Sequence, residues 1–332
     1  MEEPSGGEHT ATARAHSNIA LVKYWGKRDA ARNIPAVGSI SITLGALATD
    51  TTVVFDAGNA ADELWLDGGQ VDAHRASGLL DLVRARAGIR ASAVVTSTNN
   101  FPTGAGLASS ASGFAALALA ATAAAGLTLG ERELSILARR GSGSAARSVF
   151  GGFVELHAGS RADGTDSYAE PLLDQNAWPL SVVVAITATT QKSVSSTAGM
   201  ASSAASSPFY PSWIDTAQPD LAAMRSAIAA RDLGAVGDLT EYSCLKLHAL
   251  MLTTRPALIY WNPATVAAIH TVRELRASGI PVYFTIDAGP QVKALCDPSD
   301  AAVVAAALAA VPGVHEVRTS ALGPGAHLGA SA

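Results

Sequence analysis

The chain contains 332 residues, of which 48% are hydrophobic and 15% are charged, and its formal net charge is −5. This apolar content is sufficient for one large domain or two ordinary domains, and the acidic balance offers no general positive field for nucleic acid. No segment supplies the roughly 18 strongly apolar residues that a membrane span needs, so we expect neither nucleic acid nor a membrane as a partner.

The N-terminus and the cysteines bear on localisation. The first sixteen residues are polar and lack the basic start and apolar middle of a secretory signal. Cys244 and Cys296 lie far apart and match no metal-binding or redox spacing. These features predict a cytoplasmic protein with two reduced, inert thiols.

The first half of the chain is predicted to contain strands, then helices, then strands again. We expect a disordered leader over residues 1–13 and a first domain over residues 14–185. The β-rich and Ala/Leu-rich runs predict strands at 18–24, 39–44, 51–55, 93–98, 152–157 and 182–186, with helices at 109–125 and 131–140. This order favours an α+β fold over a doubly wound βαβ fold.

The second half, residues 186–332, is predicted to form a helix-backed antiparallel sheet. Residues 193–220 are rich in Ser, Ala and Pro, which predicts a mobile loop or a linker between halves. The predicted helices are 221–230, 233–250, 265–277 and 301–310, and the predicted strands are 282–286 and 314–319.

The segment from Pro102 to Gly113 has the features of a phosphate-binding loop. Gly104 and Gly106 allow backbone N–H groups to approach a phosphate, and a predicted helix begins at Ser109 and Ser110, whose hydroxyls can bind phosphate or Mg²⁺. The alternative is a small-residue turn that packs a helix against a sheet. The segment lacks the Gly-Lys-Ser ending of the common P-loop.

A second cluster, from Lys23 to Arg28, contains two of the five lysines of the chain together with Tyr24 and Trp25. Lys27 supplies a point charge and Tyr24 a directional hydroxyl, a combination that suits a polyanionic ligand. The alternative is a solvated strand end with ordinary surface cations.

A third cluster contains Ser142, Ser144 and Arg147 within the run from Arg139 to Ser148. A guanidinium can hold a carboxylate or a phosphate through two parallel hydrogen bonds. We interpret Arg139 and Arg140 as a solvated helix end, so only Arg147 is a candidate ligand-binding arginine.

Asp287 follows a β-branched and aromatic run and precedes a Gly-Pro turn. Such a carboxylate can act as a hydrogen-bond acceptor or as a base, although an aspartate before a turn is also a routine cap. Two phosphate-type surfaces, a lysine cluster and an isolated acid together predict a phosphoryl-transfer site with an anionic acceptor.

These motifs resemble those of the mevalonate diphosphate decarboxylase family of the GHMP kinase superfamily. The resemblance extends from Asn18 to about Gly325 and includes Asn18 to Asp29, Pro102 to Gly113, Arg140 to Ser148 and Asp287 to Pro290. It implies an N-terminal α+β nucleotide domain, a C-terminal ferredoxin-like domain and an active site between them. It also implies ATP and Mg²⁺ as cofactors, mevalonate 5-diphosphate as substrate, and a homodimer.

The resemblance assigns a role to each candidate residue. It implies that Asp287 is the catalytic acid and that Arg147 binds the substrate carboxylate. The implied diphosphate ligands are Tyr24, Lys27, Ser142, Ser144 and Ser196. The implied nucleotide ligands are Gly104, Gly106, Ser109, Ser110 and Lys192. Mg²⁺ is expected mainly on the ATP phosphates, with Ser110 as its protein ligand.

This chain departs from the family pattern at four positions. Thr197 replaces an arginine of some members, Val37 and Gly38 replace asparagines, and Gln291 replaces the asparagine after Gly-Pro. The alternatives are therefore a related mevalonate or phosphomevalonate 3-kinase or decarboxylase and, from another functional class, a non-enzymatic ligand binder on the same fold.

Overall fold

The computed structural model describes residues 9–56, 58–102, 107–190 and 193–329. The strands are β1 (His9–Val22), β2 (Lys27–Asp29), β3 (Ile34–Pro35), β4 (Ser39–Asp56), β5 (Glu63–Leu66), β6 (Gly69–Val71), β7 (Ser92–Asn99), β8 (Phe153–Leu156), β9 (Ala169–Leu173), β10 (Ser181–Ile186), β11 (Val282–Thr285), β12 (Val292–Cys296), β13 (Glu316–Ala321) and β14 (His327–Leu328). The helices are α1 (His74–Ala87), α2 (Ser109–Ala124), α3 (Glu131–Gly141), α4 (Ala145–Ser148), α5 (Ser196–Ser206), α6 (Tyr210–Asp215), α7 (Ala217–Ala230), α8 (Leu233–Leu252), α9 (Pro263–Ala277) and α10 (Ala301–Ala309).

The first sheet has the strand order β14-β1-β4-β7-β5-β6, and β8 joins β4 to β9. The long strands β1 and β4 pair antiparallel along most of their length. Helix α2 packs on both of them, and its alanines are almost all buried. Small side chains let this helix lie close to the sheet, and the hydroxyl of Ser112 in its first turn lies 2.6 Å from that of Thr49 in β4.

The second sheet has the order β11-β12-β10-β13, and all of its pairs are antiparallel. Along the chain, helices separate β10 from β11 and β12 from β13. This is the ferredoxin-like arrangement that the resemblance implied. One hydrophobic cluster includes Ile42 and Phe153 of the first sheet, Val182 and Leu295 of the second, and Leu221 of α7, so the two halves share a core.

The structure departs in part from the expected leader and the expected domain boundary. Strand β1 already begins at His9, because Thr10 to Ala13 pair with the C-terminal part of β4, whereas residues 1–8 lie outside the described ranges. A boundary at residue 185 would cut β10, which pairs with β12 and β13 of the second sheet. Near the C-terminus, β14 returns to the first sheet and pairs with β1.

The expected loop over residues 193–220 is largely helical. It forms α5, α6 and the start of α7, because Met200, Trp213 and Ala217 are buried in a cluster with Trp25 and Leu247. Helix α5 also has a side-chain cap, in which Ser195 Oγ accepts a hydrogen bond from the backbone N–H of Ala198 at 3.2 Å. The serine and alanine content therefore reflects capping and helix propensity.

Candidate active site

A cavity of about 590 Å³ contains every candidate site residue that the structure describes. These residues come from both halves of the chain and are Tyr24, Lys27, Ser109, Ser110, Ser142, Ser144, Arg147, Ser196 and Asp287. The remaining candidates, Gly104, Gly106 and Lys192, lie outside the described residues. The four separate motifs thus meet at one place.

Asp287 follows the end of β11 and is held between two ammonium groups. Lys23 Nζ lies 2.7 Å from Asp287 Oδ1, and Lys293 Nζ lies 3.4 Å from Oδ2. The carboxylate is 28% exposed, whereas the lysine side chains are 1% and 2% exposed. Burial alone would raise the pKa of Asp287, but the charges of Lys23, Lys293 and Arg147 outweigh it and hold this pKa well below its usual range.

The sequence reasoning gave neither Lys23 nor Lys293 a role. Lys23 lies in the cluster that was singled out, and its ammonium also donates to the carbonyl oxygen of Ala20 at 2.7 Å. Lys293 occupies the fully buried strand β12. The sequence signal that could have revealed Lys293 is a lysine within an otherwise apolar strand, because a buried ammonium requires a partner.

Arg147 is buried, and side chains from two strands hold its guanidinium. Its Nη2 and Nε donate to Asn18 Oδ1 at 2.9 and 3.2 Å, and its Nη1 donates to Ser39 Oγ at 2.6 Å. Burial lowers the pKa of Arg147 to about 10, with the nearby Asp287 and Tyr24 opposing this shift. No carboxylate forms an ion pair with Arg147 among the described residues, so its charge can serve a ligand carboxylate.

Lys27, Arg75 and Tyr24 form the cationic end of the cavity. Lys27 Nζ donates to Asn33 Oδ1 at 2.6 Å, and Arg75 Nη2 donates to the carbonyl oxygen of Gly141 at 3.0 Å. Within the described ranges neither cation has an acidic partner, and burial together with the charge of Arg75 lowers the pKa of Lys27. The buried Tyr24 hydroxyl has no hydrogen-bond partner there, and burial raises its pKa to about 12. Cations without acidic partners beside a buried hydroxyl favour an anionic ligand.

Four serines line the cavity at or near the N-terminus of helix α2. Ser109 and Ser110 open α2, and Ser110 Oγ lies 3.4 Å from Ser142 Oγ. Ser142 Oγ lies in turn 3.5 Å from Ser144 Oγ. Hydroxyls at a helix N-terminus can bind phosphate oxygens, so a nucleotide and a phosphorylated acceptor can meet here.

Part of the cavity lining is apolar, a feature that the sequence reasoning missed. This part includes Leu64, Leu66, Val95 and Leu117, with Ser97 as a polar group among them. These residues come from β5, β7 and α2. The Ser97 hydroxyl lies 2.9 Å from that of Thr51, and apolar walls with a few polar groups of this kind suit a heterocyclic base.

The departures from the family pattern have different structural consequences. A Cβ at Gly38 would lie 2.8 Å from Leu221 Cδ1 and 3.0 Å from the carbonyl oxygen of Leu156, so a side chain here would require these neighbours to shift. Gln291 Oε1 accepts from the backbone N–H of Thr187 at 2.6 Å, which ties the start of β12 to the end of β10. Thr197 lines the cavity, where an arginine would add a charge.

Two further observations concern metals and membranes. Within the described residues, no group of three or more His, Cys, Asp or Glu side chains could hold a metal ion. In the same part of the chain, no helix combines the length and the apolar character needed to cross a membrane.

Comparison with known proteins agrees with this geometry. Residues 15–169 match the diphosphomevalonate decarboxylase-like N-terminal domain, and residues 182–322 match the mevalonate 5-diphosphate decarboxylase C-terminal domain. The chain is 38% identical to human diphosphomevalonate decarboxylase over 301 residues, which cover 84% of this chain and 74% of that relative. It is 37% identical to diphosphomevalonate decarboxylase mvd1 of Aspergillus fumigatus over 327 residues, which cover 92% of this chain and 81% of that relative.

Solved structures show the same relationship. The mevalonate diphosphate decarboxylase of Staphylococcus aureus superposes with a TM-score of 0.90 at 38% identity, covering 97% of this chain and 98% of that chain. The structure described as MDDEF in complex with MVAPP, AMPPCP and magnesium also gives 0.90, at 39% identity, covering 98% of this chain and 100% of that chain. The expected two-domain GHMP kinase-like α+β fold is thereby confirmed. The chain belongs to the diphosphomevalonate decarboxylase family.

Proposed function

We propose that this chain catalyses the ATP-dependent decarboxylation of mevalonate 5-diphosphate, giving isopentenyl diphosphate, ADP, phosphate and carbon dioxide. The single observation that carries the proposal is that Asp287 and Arg147 line the same cavity as Lys27 and Tyr24. One acid, one carboxylate-binding guanidinium and one anion-binding end correspond to the three functional groups of this substrate. A related structure in complex with MVAPP, AMPPCP and magnesium supports the same ligands.

Asp287 orients the tertiary hydroxyl of the substrate and accepts its proton. Because Lys23 and Lys293 keep the pKa of Asp287 low, the carboxylate is a weak base and stays ionised. It therefore takes the proton late, when the hydroxyl oxygen has begun to bond to phosphorus and has become acidic. Lys23 fixes Oδ1 at 2.7 Å, whereas Lys293 lies 3.4 Å from Oδ2, so Oδ2 is the less tightly held oxygen and the one that faces the hydroxyl.

Arg147 orients the substrate carboxylate for the second step. The bond from the tertiary carbon to the phosphorylated oxygen breaks, and phosphate leaves with that electron pair. The carbon–carbon bond to the carboxylate then supplies the electrons of the new double bond, and carbon dioxide leaves. Asn18 and Ser39 fix the guanidinium, so the carboxylate is held in position for the loss of carbon dioxide.

The residues present fit ATP and Mg²⁺. MgATP supplies the phosphoryl group and neutralises charge as it transfers. Ser109 and Ser110 would hold its phosphates at the N-terminus of α2, with Ser110 nearest the metal. Since no carboxylate cluster was found among the described residues, the phosphates themselves would provide most metal ligands. We also assign Gly104, Gly106 and Lys192 to this nucleotide end, on the family resemblance.

A second candidate is a 3-kinase or decarboxylase that acts on mevalonate or its monophosphate. Thr197 favours it, because the cavity lacks the charge that an arginine would place beside Ser196. Lys27 and Arg75, two cations without acidic partners in the described residues, favour the diphosphate instead.

The experiment that separates these functions is incubation of the purified protein with ATP, Mg²⁺ and each of mevalonate, its 5-phosphate and its 5-diphosphate. We expect ADP and carbon dioxide to appear together, with the diphosphate alone. Equal turnover of the monophosphate would contradict the substrate assignment. ADP without carbon dioxide would show a kinase, and binding without either product would show a ligand-binding protein.

Assembly, location and domain limits belong to the same proposal. We infer a homodimer from the family resemblance, and sedimentation of the purified protein tests it. We infer a cytoplasmic enzyme, since both cysteines are buried free thiols. For the domain limits, we place the boundary before β10 rather than at residue 185, because β10 belongs to the second sheet.

A further inference from the structure

The catalytic ion pair joins two distant parts of the chain. Lys23 follows β1 of the first sheet, whereas Asp287 follows β11 of the second. The two residues are 264 positions apart in sequence, yet their charged atoms lie 2.7 Å apart. The ion pair alone cannot fix these two positions, because the long lysine side chain could follow a shift of either backbone segment. Other contacts must therefore hold the backbone at both positions.

Helix α8 contacts the backbone on both sides of this pair. Ser243 Oγ accepts a hydrogen bond from the backbone N–H of Lys23 at 2.9 Å. The adjacent Cys244 Sγ accepts one from the backbone N–H of Ile286 at 3.2 Å and lies 3.5 Å from the carbonyl oxygen of Ile286. Ser243 and Cys244 are buried, so these backbone groups have no access to water as a substitute.

One turn further along α8, His248 contacts the same strand end. Its Nε2 accepts from Trp261 Nε1 at 3.2 Å, which leaves Nδ1 as the protonated nitrogen. The backbone of Ile286 and Asp287 also acts on this ring and favours its protonated form. Because residues four apart lie on one helix face, Cys244 and His248 face the same piece of backbone.

We propose that Ser243, Cys244 and His248 are positioning residues of the reaction, and that this face of α8 sets the distance between Lys23 and Asp287. The inference rests on the proposed function, in which this pair orients the hydroxyl and receives its proton. A helix is stiff over one turn, so contacts from adjacent residues fix the two backbone segments relative to one another. A misplacement of about 1 Å at a reacting group can cost about 100-fold in rate, although binding contacts elsewhere remain.

The experiment compares Cys244→Ala with Cys296→Ala. Both cysteines are fully buried in the same hydrophobic cluster, so the loss of sulfur creates a similar cavity in each variant. Cys296 does not line the active-site cavity. We expect Cys244→Ala to lower kcat by about 10-fold or more, with KM for ATP and substrate changed by less than about threefold, whereas Cys296→Ala keeps the wild-type kcat. Cys244→Ser, which keeps a hydrogen-bond acceptor, should recover most of the loss.

A pH profile supplies a readout that a packing defect would not move. The charged and titratable groups that face Asp287 are Lys23 near β1, Lys293 on β12, Arg147 on α4, and Cys244 and His248 on α8. If the loss of sulfur loosens the Lys23 contact, the pKa of Asp287 rises toward its ordinary value. The acid limb of kcat should therefore move to higher pH in Cys244→Ala and stay in place in Cys296→Ala.

A second pair of variants keeps the test decisive if Cys244→Ala does not fold. Ser243→Ala removes the acceptor for Lys23, and Ser203→Ala removes a buried serine that bonds to Thr254 at 2.9 Å, outside the active-site cavity. If the wild-type enzyme is active and the two variants of each pair have the same kcat and the same acid limb of the pH profile, the positioning role is overturned. An inactive wild type would instead refute the proposed function, so the two failures are distinct.

Discussion

In the proposed mechanism, the chemistry depends most directly on Asp287. We expect Asp287→Asn to lower kcat by about 10² to 10⁴-fold, because the amide cannot accept the hydroxyl proton. Binding of both ligands should persist, since Asn has the same shape and can still accept a hydrogen bond from Lys23. Single-turnover ADP formation and a melting curve on the same preparation check this. If Asp287 is only a turn cap, the variant melts earlier yet transfers phosphate at nearly the wild-type rate.

Lys27 tests the assignment of the cationic end. Lys27→Ala should weaken substrate binding far more than ATP binding, because its ammonium faces the cavity beside Tyr24 and is otherwise bonded only to the neutral Asn33 in the described residues. Titration calorimetry with each ligand separately provides the measurement. A fall in ATP affinity with unchanged substrate affinity would place the lysine on the other ligand.

Thr197 offers a gain of function. We expect Thr197→Arg to tighten binding of the diphosphate substrate by about tenfold, because a charge-assisted hydrogen bond contributes about 1.5 to 3 kcal/mol before ordering costs. Thr197→Gln, of similar length without the charge, should give little improvement. The measured quantity is the dissociation constant of the diphosphate relative to the monophosphate. Equal effects of Arg and Gln would show that this position does not contact the phosphates.

At the scale of elements, the close packing of helix α7 against Gly38 explains why this chain has glycine where the family pattern has asparagine. Leu221 of α7 occupies the space that a side chain at Gly38 would need, so Gly38→Ala should destabilise the protein by about 1 to 3 kcal/mol through overpacking. At Gly78 of α1 an added Cβ would enter open space, so Gly78→Ala should stabilise by up to about 1 kcal/mol through helix propensity. Urea unfolding of both variants measures the difference, and a neutral Gly38→Ala would refute the packing explanation.

The elements also show what the sequence could predict. Helix α8 was expected over residues 233–250 and spans Leu233–Leu252, because its apolar residues recur on one face and Asp232 caps it. Helices α5 and α6 were missed, since their burial depends on Trp25 and Leu247, which are distant in sequence. Helix α1 was missed as well, although Ala76, Leu79, Leu80 and Val83 recur at helical spacing and are buried.

The candidate site residues likewise fall into two groups, those that a local motif indicates and those that it does not. Ser142, Ser144 and Arg147 became candidates through their motif and the family resemblance, and the structure places all three in one cavity. The interpretation of Arg139 in the same motif as part of a solvated helix end was wrong, because its side chain is fully buried and donates to three backbone carbonyl oxygens. The partners of Asp287 were not predicted, because Lys23 comes from the opposite half and Lys293 resembles an ordinary strand residue in sequence. Contacts between the halves depend on the tertiary fold, which no local pattern encodes.

At the scale of the whole molecule, the shared core predicts that the two halves unfold together. The cluster that includes Ile42, Val182 and Leu221 extends across both sheets, so neither half can lose its structure without exposing the other. This cooperativity allows a single free energy of unfolding to be followed as pH changes.

Two buried histidines should make that free energy fall in mild acid. Burial, assisted by the charge of Lys23, lowers the pKa of His248 to about 3, and burial also lowers the pKa of His16. In the unfolded chain both rings titrate near about 6.5, so below that pH the unfolded state binds protons that the folded state does not. Stability is therefore full above about pH 6.5 and is lost as the pH falls, by up to about 1.4 kcal/mol per pH unit for each ring.

Urea unfolding between about pH 6 and about pH 5 measures this slope, in a range above the ordinary pKa values of most carboxylates. His248→Gln should be less stable near neutral pH, because it loses the contacts of the ring, but its stability should depend less steeply on pH. The exposed His270 on α9 provides the control, and His270→Gln should keep the wild-type slope. If the stability of His248→Gln depends on pH as steeply as that of the wild type, then the His248 ring of the wild type accepts a proton within the folded protein. Protonation would then have to break the contact with Trp261, since Nε2 cannot both carry a proton and accept the indole N–H.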